Sequence, residues 1–171
     1  MVRGLLRSSY AGYGGGMSEY RVTIEWAGTA SPDDFLKGRY SREHRWAFDG
    51  GIVVAASSSP SVVRVPWSNP QNVDPEEAFV ASISSCHMLT FLYLAGKAGF
   101  VVTSYRDDAV GVMTKTPDGV EWVSRVTLVP EIRYAGDRQP GSEELARLHH
   151  AAHHDCFIAN SVKTEIVVAA A

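Results

Sequence analysis

The sequence is poor in cysteine, with two thiols, Cys86 and Cys156, in 171 residues. That scarcity excludes a small secreted scaffold stapled by several disulfides. No charge of one sign dominates either. Sixteen Lys and Arg against nineteen Asp and Glu leave a net charge of -3 and an isoelectric point near 6.0. No basic run breaks this balance, so neither nucleic acid nor a membrane surface is an expected partner. Internal repeats are missing, and the first sixteen residues offer only Leu5-Leu6 as an apolar centre, too little for a secretory segment. Residues 1–16 therefore read as a disordered extension before Met17, the expected natural start, and 17–171 as a single domain. With no targeting segment and two cysteines, a reducing cytoplasm is the expected compartment, where paired thiols are more often reactive than structural.

What is present is one strong helix signal. Asp74 suits an N-cap, Pro75 the first helical position, and Glu77 the position whose carboxylate reaches back to the cap. From Ala78 to Gly96 the segment carries no formal charge and is nearly long enough to span a bilayer. Ser82, Ser84, Ser85, His87 and Thr90 would then lie at mid-membrane, and the capping box suits water, so the segment reads as the enclosed helix of a soluble fold. It is apolar on every side. One small chain does not cover such a helix, which predicts a homodimer in which a second copy completes the burial.

Around this helix the strand signals cluster. Glu19–Trp26 alternates Tyr20, Val22, Ile24 and Trp26 with polar residues, and Gly38–Phe48 reads as a second strand, turning at Asp49-Gly50-Gly51 into Ile52–Ala56. Arg39, Arg42 and Arg45 fall in that second strand, with Arg39 and Arg45 on one face and Arg42 on the other. Ser57–Pro70 reads as loop with a short edge strand at Ser61–Val65. After Gly99, strands are expected at 101–116, 122–130 and 131–135, with the first turn at Thr116-Pro-Asp-Gly119. A second helix capped by Ser142 ends at Cys156, and the alternation of Val162, Thr164, Ile166 and Val168 predicts a closing strand. Runs of strands with isolated helices argue an α+β class, antiparallel sheets around a long buried helix plus a second helix.

Each cysteine sits on an element expected to enter the same core. Cys86 reads either as a small packed residue or, with Cys156, as half of a peroxidatic and resolving pair. In the second case one thiolate attacks a peroxide, becomes sulfenic acid and condenses with the other thiol, and a nearby cation, which the arginines would supply, favours that thiolate. Asp74-Pro-Glu-Glu-Ala-Phe-Val-Ala-Ser-Ile-Ser-Ser-Cys86 resembles the first cysteine motif of the OsmC/Ohr family, the osmotically induced and organic hydroperoxide resistance proteins. Asp155-Cys156-Phe-Ile-Ala-Asn-Ser161 resembles the second.

The resemblance implies an intertwined α+β homodimer that reduces organic hydroperoxides and is recharged by a dithiol, often of the lipoyl type, with no bound cofactor or metal. It implies Cys86 as the peroxidatic thiol, Cys156 as the resolving thiol, and Glu76 as the carboxylate that orients an arginine. Counting back from Asp49-Gly50 favours Arg42, while Arg45 and Arg39 remain alternatives. Ten residues of straight helix separate Glu76 from Cys86 by roughly 15 Å, so either the helix breaks or, as we expect, a partner subunit supplies the glutamate. His87 after Cys86 and Phe157-Ile158 after Cys156 depart from the family pattern, and His87 reads as a packed or hydrogen-bonded side chain. Two further readings compete. The i, i+4 pairs His149/His153 and His150/His154 have metal-ligand spacing but lie on different helix faces. A dimeric protein with inert cysteines, binding an apolar ligand at the interface, is the non-catalytic alternative.

Overall fold

Helix α2, Pro75–Lys97, starts as its sequence dictates in a computed structural model that describes residues 18–169. Asp74 Oδ1 accepts the Glu77 N–H at 2.8 Å and the Glu77 carboxylate accepts the Asp74 N–H at 3.1 Å. Two of the orphan donors of the first turn are thereby satisfied. Beyond the Ala98 C-cap, Gly99 adopts a φ of +82°, a conformation that only glycine takes without strain. The expected ends of the helix and the inferred α+β class are both observed. Residues 1–16 and Met17, on which the start and the extension were argued, lie outside the described residues.

The strands form three small sheets, of which the second and third pack on this helix. Strands β1 (Val22–Glu25), β2 (His44–Phe48) and β3 (Val53–Ala56) pair antiparallel, with the β2–β3 turn where Asp49-Gly50-Gly51 placed it. Strands β4 (Val101–Asp107) and β7 (Pro130–Ala135) form a second antiparallel pair. The third sheet joins β5 (Val110–Lys115) antiparallel to β6 (Glu121–Leu128), while β8 (Glu165–Val168) runs parallel to β6. The single strand expected at 101–116 is thus two strands, interrupted at Asp108-Ala109. The closing strand exists, but its partner is β6 and its direction parallel.

Several expectations need correction. Only His44–Phe48 of the expected second strand is in a ladder. Gly38 has a φ of +71°, and the Arg42 N–H donates to the Trp67 carbonyl of the following loop at 2.9 Å, which carries the backbone away from β1. Arg39 and Arg42 therefore precede the strand, and the assignment of faces to the three arginines does not hold. Between β1 and these arginines lies a short helix, α1 (Pro32–Leu36), capped by Ser31. Ser61–Val65 forms turns instead of an edge strand. Gly141, not Ser142, caps α3 (Ser142–Asp155), with its N–H donating to the Glu144 carboxylate.

The core has two centres. Phe91, Ala95, Phe100 and Ala152 form one between α2, α3 and the β4–β7 pair, and Ile83, Val126 and Leu128 form the other against the third sheet. Gly111 matters to the second: a Cβ there would lie 2.5 Å from Val80 Cγ2, so glycine alone lets β5 press onto α2. By length and apolar character α2 could cross a membrane, yet Ile83, His87, Thr90, Phe91 and Ala95 are buried within the fold. Its opposite side is bare, with Leu89 59% exposed. The first sheet makes no extensive contact with α2, α3 or the other sheets, and its Val22, Ile24, Trp26 and Phe48 remain exposed.

Candidate active site

Cys86 lies midway along α2, and Cys156 is the C-cap of α3, where the backbone turns from helical to extended. Packing of the two helices brings the thiols together, with Cys156 Sγ donating to Cys86 Sγ at 2.8 Å. Both thiols are free. The residues are not equivalent, because Cys156 is fully buried while Cys86 is partly accessible. Burial pushes the Cys156 thiol up to about 11, reinforced by its hydrogen bond to Cys86 and opposed by the Ala159 N–H that points at its sulfur. Cys156 is thus the protonated donor of the pair, and Cys86 is the accepting, more accessible sulfur.

Glu76 stands in the first turn of α2. It lines an open, largely apolar cleft of about 720 Å³ with Val80, Ser84, Ser85, Met88, Gly111 and others. The wall passes Ser85 and Met88, the near neighbours of Cys86 in sequence. Because α2 is unbroken from Pro75 to Lys97, the axial separation of roughly 15 Å between Glu76 and Cys86 stands and a helix break is ruled out.

The arginines are all engaged elsewhere. Arg42 Nη1 donates to the Gly38 carbonyl at 2.8 Å and also to the Tyr40 carbonyl, while the guanidinium lies 3.6 Å above the Tyr40 ring. Arg39 pairs with Asp34, and Arg45 with Glu25 across the β1–β2 ladder. Among the described residues none of the three contacts Glu76 or either sulfur. The chain by itself therefore assembles the thiol pair but does not add an arginine to it.

Residues that periodicity did not single out complete the surroundings. Ser84 Oγ donates to the Asp107 carboxylate at the cleft wall, and Asp107 Oδ1 also accepts the Val129 N–H at 2.6 Å. These contacts tie α2 to the β4–β5 break. The histidines do not converge on a common point. His149 turns inward and its Nδ1 meets His87 Nε2 at 3.0 Å, whereas His153 and His154 are exposed and His154 bonds Asp155. His87 is hydrogen-bonded and 1% exposed, as its sequence position suggested.

Burial, followed by the charges of His149 and His153, pushes the His87 imidazolium down to about 4. Its neutral form is therefore the one that folds. The unfolded imidazole takes up a proton near its ordinary 6.5, so this contribution is fully present above that pH and is lost as pH falls toward 4. A loss of roughly 3 kcal/mol of unfolding free energy is expected over that window. Urea denaturation at pH 7.5 and 4.5 measures it, and a His87→Phe variant should show a shallower decline.

The sequence pattern of OsmC-like proteins matches residues 68–170, which include the helix, both cysteines and every strand after β3. The chain belongs to the OsmC family. An OsmC-like protein of unknown function from Vibrio cholerae is 48% identical, with 90% of this chain and 99% of that one covered and a TM-score of 0.85. Two more distant OsmC folds are organic hydroperoxide resistance proteins. The one from Elizabethkingia anophelis is 18% identical, with 88% and 94% of the two chains covered and a TM-score of 0.61. OhrB of Bacillus subtilis is 16% identical, with 89% and 98% covered and a TM-score of 0.59. A comparison with curated proteins finds no match.

Proposed function

We propose that this OsmC-family chain is a thiol peroxidase that reduces organic hydroperoxides in the cytoplasm. The observation that carries the reading is the 2.8 Å contact between a buried, protonated Cys156 and an accessible Cys86. Cys86, as thiolate, attacks the terminal peroxide oxygen. The O–O bond breaks, the alkoxide takes up a proton and leaves as alcohol, and Cys86 becomes sulfenic acid. The Cys156 sulfur then displaces the hydroxyl, which departs with a proton as water, leaving a Cys86–Cys156 disulfide. A dithiol, of lipoyl type by family resemblance, returns both sulfurs to the thiol state. The hydroperoxide resistance proteins that share the fold support this class of substrate.

A homodimer supports the remaining chemistry. The bare side of α2 and the exposed apolar residues of the first sheet are surfaces that a second copy would cover. In that arrangement Glu76 and Arg42 reach the Cys86 of a neighbouring chain, Glu76 holding the guanidinium fork beside the sulfur. Light scattering should find a dimer at micromolar concentration. Mixed Glu76→Ala and Cys86→Ser proteins should regain activity as heterodimers form, since each supplies what the other lacks; verified exchange without any recovery would refute the shared site.

One observation favours a second reading. Cys86 is not part of the apolar cleft wall, as suits a dimeric protein that binds an apolar molecule while its thiols stay inert. Mass spectrometry separates the two. One equivalent of cumene hydroperoxide should convert the reduced protein to the Cys86–Cys156 disulfide, a loss of two hydrogens, whereas an inert pair stays reduced.

A further inference from the structure

The His87–His149 contact is unused by the chemistry above, although it stands beside it on the same two helices. His87 follows Cys86 on α2, and His149 precedes Cys156 by about two turns on α3, so both members of each pair project across one helix–helix interface. Two polar contacts therefore bridge α2 and α3, one between sulfurs and one between imidazoles. The His149 ring also stacks on Phe91 at 4.5 Å, which fixes its plane. The planes of the two imidazoles are nearly parallel, 10° apart, with ring centroids separated by 5.3 Å.

The proton in this contact can be assigned from what surrounds it. His87 Nδ1 is buried and has no hydrogen-bond partner. Were the His87 proton on that nitrogen, a buried N–H would be orphaned, the rarer and costlier defect. The proton therefore sits on His87 Nε2 and is donated to His149 Nδ1, which leaves the proton of His149 on its own Nε2. This direction makes His149 the acceptor, and a side chain without an acceptor at that point leaves His87 with a second unmet polar atom.

We propose that His87 and His149 form a positioning pair that holds α2 and α3 in the register at which Cys86 and Cys156 can bond. The inference rests on the two-cysteine redox reading but needs no peroxide. Oxidation removes one hydrogen from each thiol and shortens the sulfur contact from 2.8 Å to about 2.05 Å, so the helices must keep their register while the bond forms and breaks. A neighbouring polar tie that is indifferent to redox state supplies that constraint. The sulfurs then face each other at a higher effective concentration than two loosely packed helices would give.

The test is exchange of the reduced protein with oxidised dithiothreitol, in which two thiols are oxidised and one cyclic disulfide is reduced. His149→Phe keeps the stack on Phe91 and removes the acceptor. The equilibrium constant for the protein disulfide should fall roughly fivefold, the effect of one net hydrogen bond. His149→Asn places an amide oxygen near the Nδ1 position and should restore most of the loss, which a purely space-filling role would not. A folded His149→Phe protein with the wild-type constant, or an Asn variant no better than Phe, would overturn the proposal. Should the Phe variant not fold, nitrogen-15 spectra of the wild-type rings decide, because a His87 protonated on Nδ1 contradicts the assigned contact, and loss of the His87–His149 hydrogen bond on disulfide formation contradicts a tie that keeps the register through the redox cycle. A normal disulfide without peroxidase turnover would remove the enzymatic reading and leave the positioning pair standing.

Discussion

Cys86→Ser is expected to abolish hydroperoxide turnover, lowering kcat/KM by about a thousandfold or more, because an un-ionised hydroxyl replaces the sulfur nucleophile. Cys156→Ser should behave differently. Its Cys86 still meets the peroxide but finds no resolving thiol, so a first equivalent is consumed and the sulfenic acid accumulates, where dimedone traps it. Further peroxide then drives it to the sulfinic acid, which dithiols do not reverse. Stopped-flow consumption of cumene hydroperoxide with mass analysis of the product reads both variants. Full turnover by Cys86→Ser would end the assignment, and equal rates of first oxidation in the two variants would contradict the polarity of the pair.

Phe91→Ala should be the most destabilising single truncation in the core, costing about 3–5 kcal/mol and lowering Tm by roughly 10 °C. Phe91 is fully buried, packs against Ala95, Phe100 and Ala152, and touches both Tyr105 and His149 through its ring. The cavity would open beside the His87–His149 contact, so thiol register and stability should suffer together. Leu89→Ala on the bare side of α2 is the informative contrast. In an isolated chain it should change stability by less than about 0.5 kcal/mol. A loss of about 2 kcal/mol or more, with a shift toward monomer, is the result expected if a second copy covers that side.

Much of this arrangement can be read from local signals, and the remainder fails for identifiable reasons. Asp74, Pro75, Glu77 and Gly99 specify the ends of α2 because capping depends on residues within a few positions of one another. The pairing of Cys86 with Cys156 followed from each being carried into the core on a helix. The arginines were less legible. The alternation through Gly38–Phe48 mimics a strand, but the bond from the Arg42 N–H to the Trp67 carbonyl is nonlocal and outweighs it. His149 was ambiguous for a related reason: i, i+4 spacing serves a surface pair or an inward partner equally, and the packing of α3 on α2 decides between them. Alternation likewise announces β8 without naming β6 as its neighbour or giving its direction.

The parallel pairing of β8 with β6 bears on the order in which Cys86 and Cys156 are expected to meet as the chain folds. Cys156 travels on the connection that leaves β6, passes through β7 and α3, and returns to lie beside its own starting strand. Such closures join residues distant in sequence and form slowly compared with a hairpin. Cys86, by contrast, is seated in a helix whose cap is local and self-sufficient. On the proposed function, a folding chain passes through a period in which Cys86 is exposed to peroxide before Cys156 is in place, and repeated oxidation in that period is expected to carry Cys86 to the sulfinic acid, which dithiols do not reverse. Oxidative damage is then expected to fall on chains still folding before it reaches those already complete.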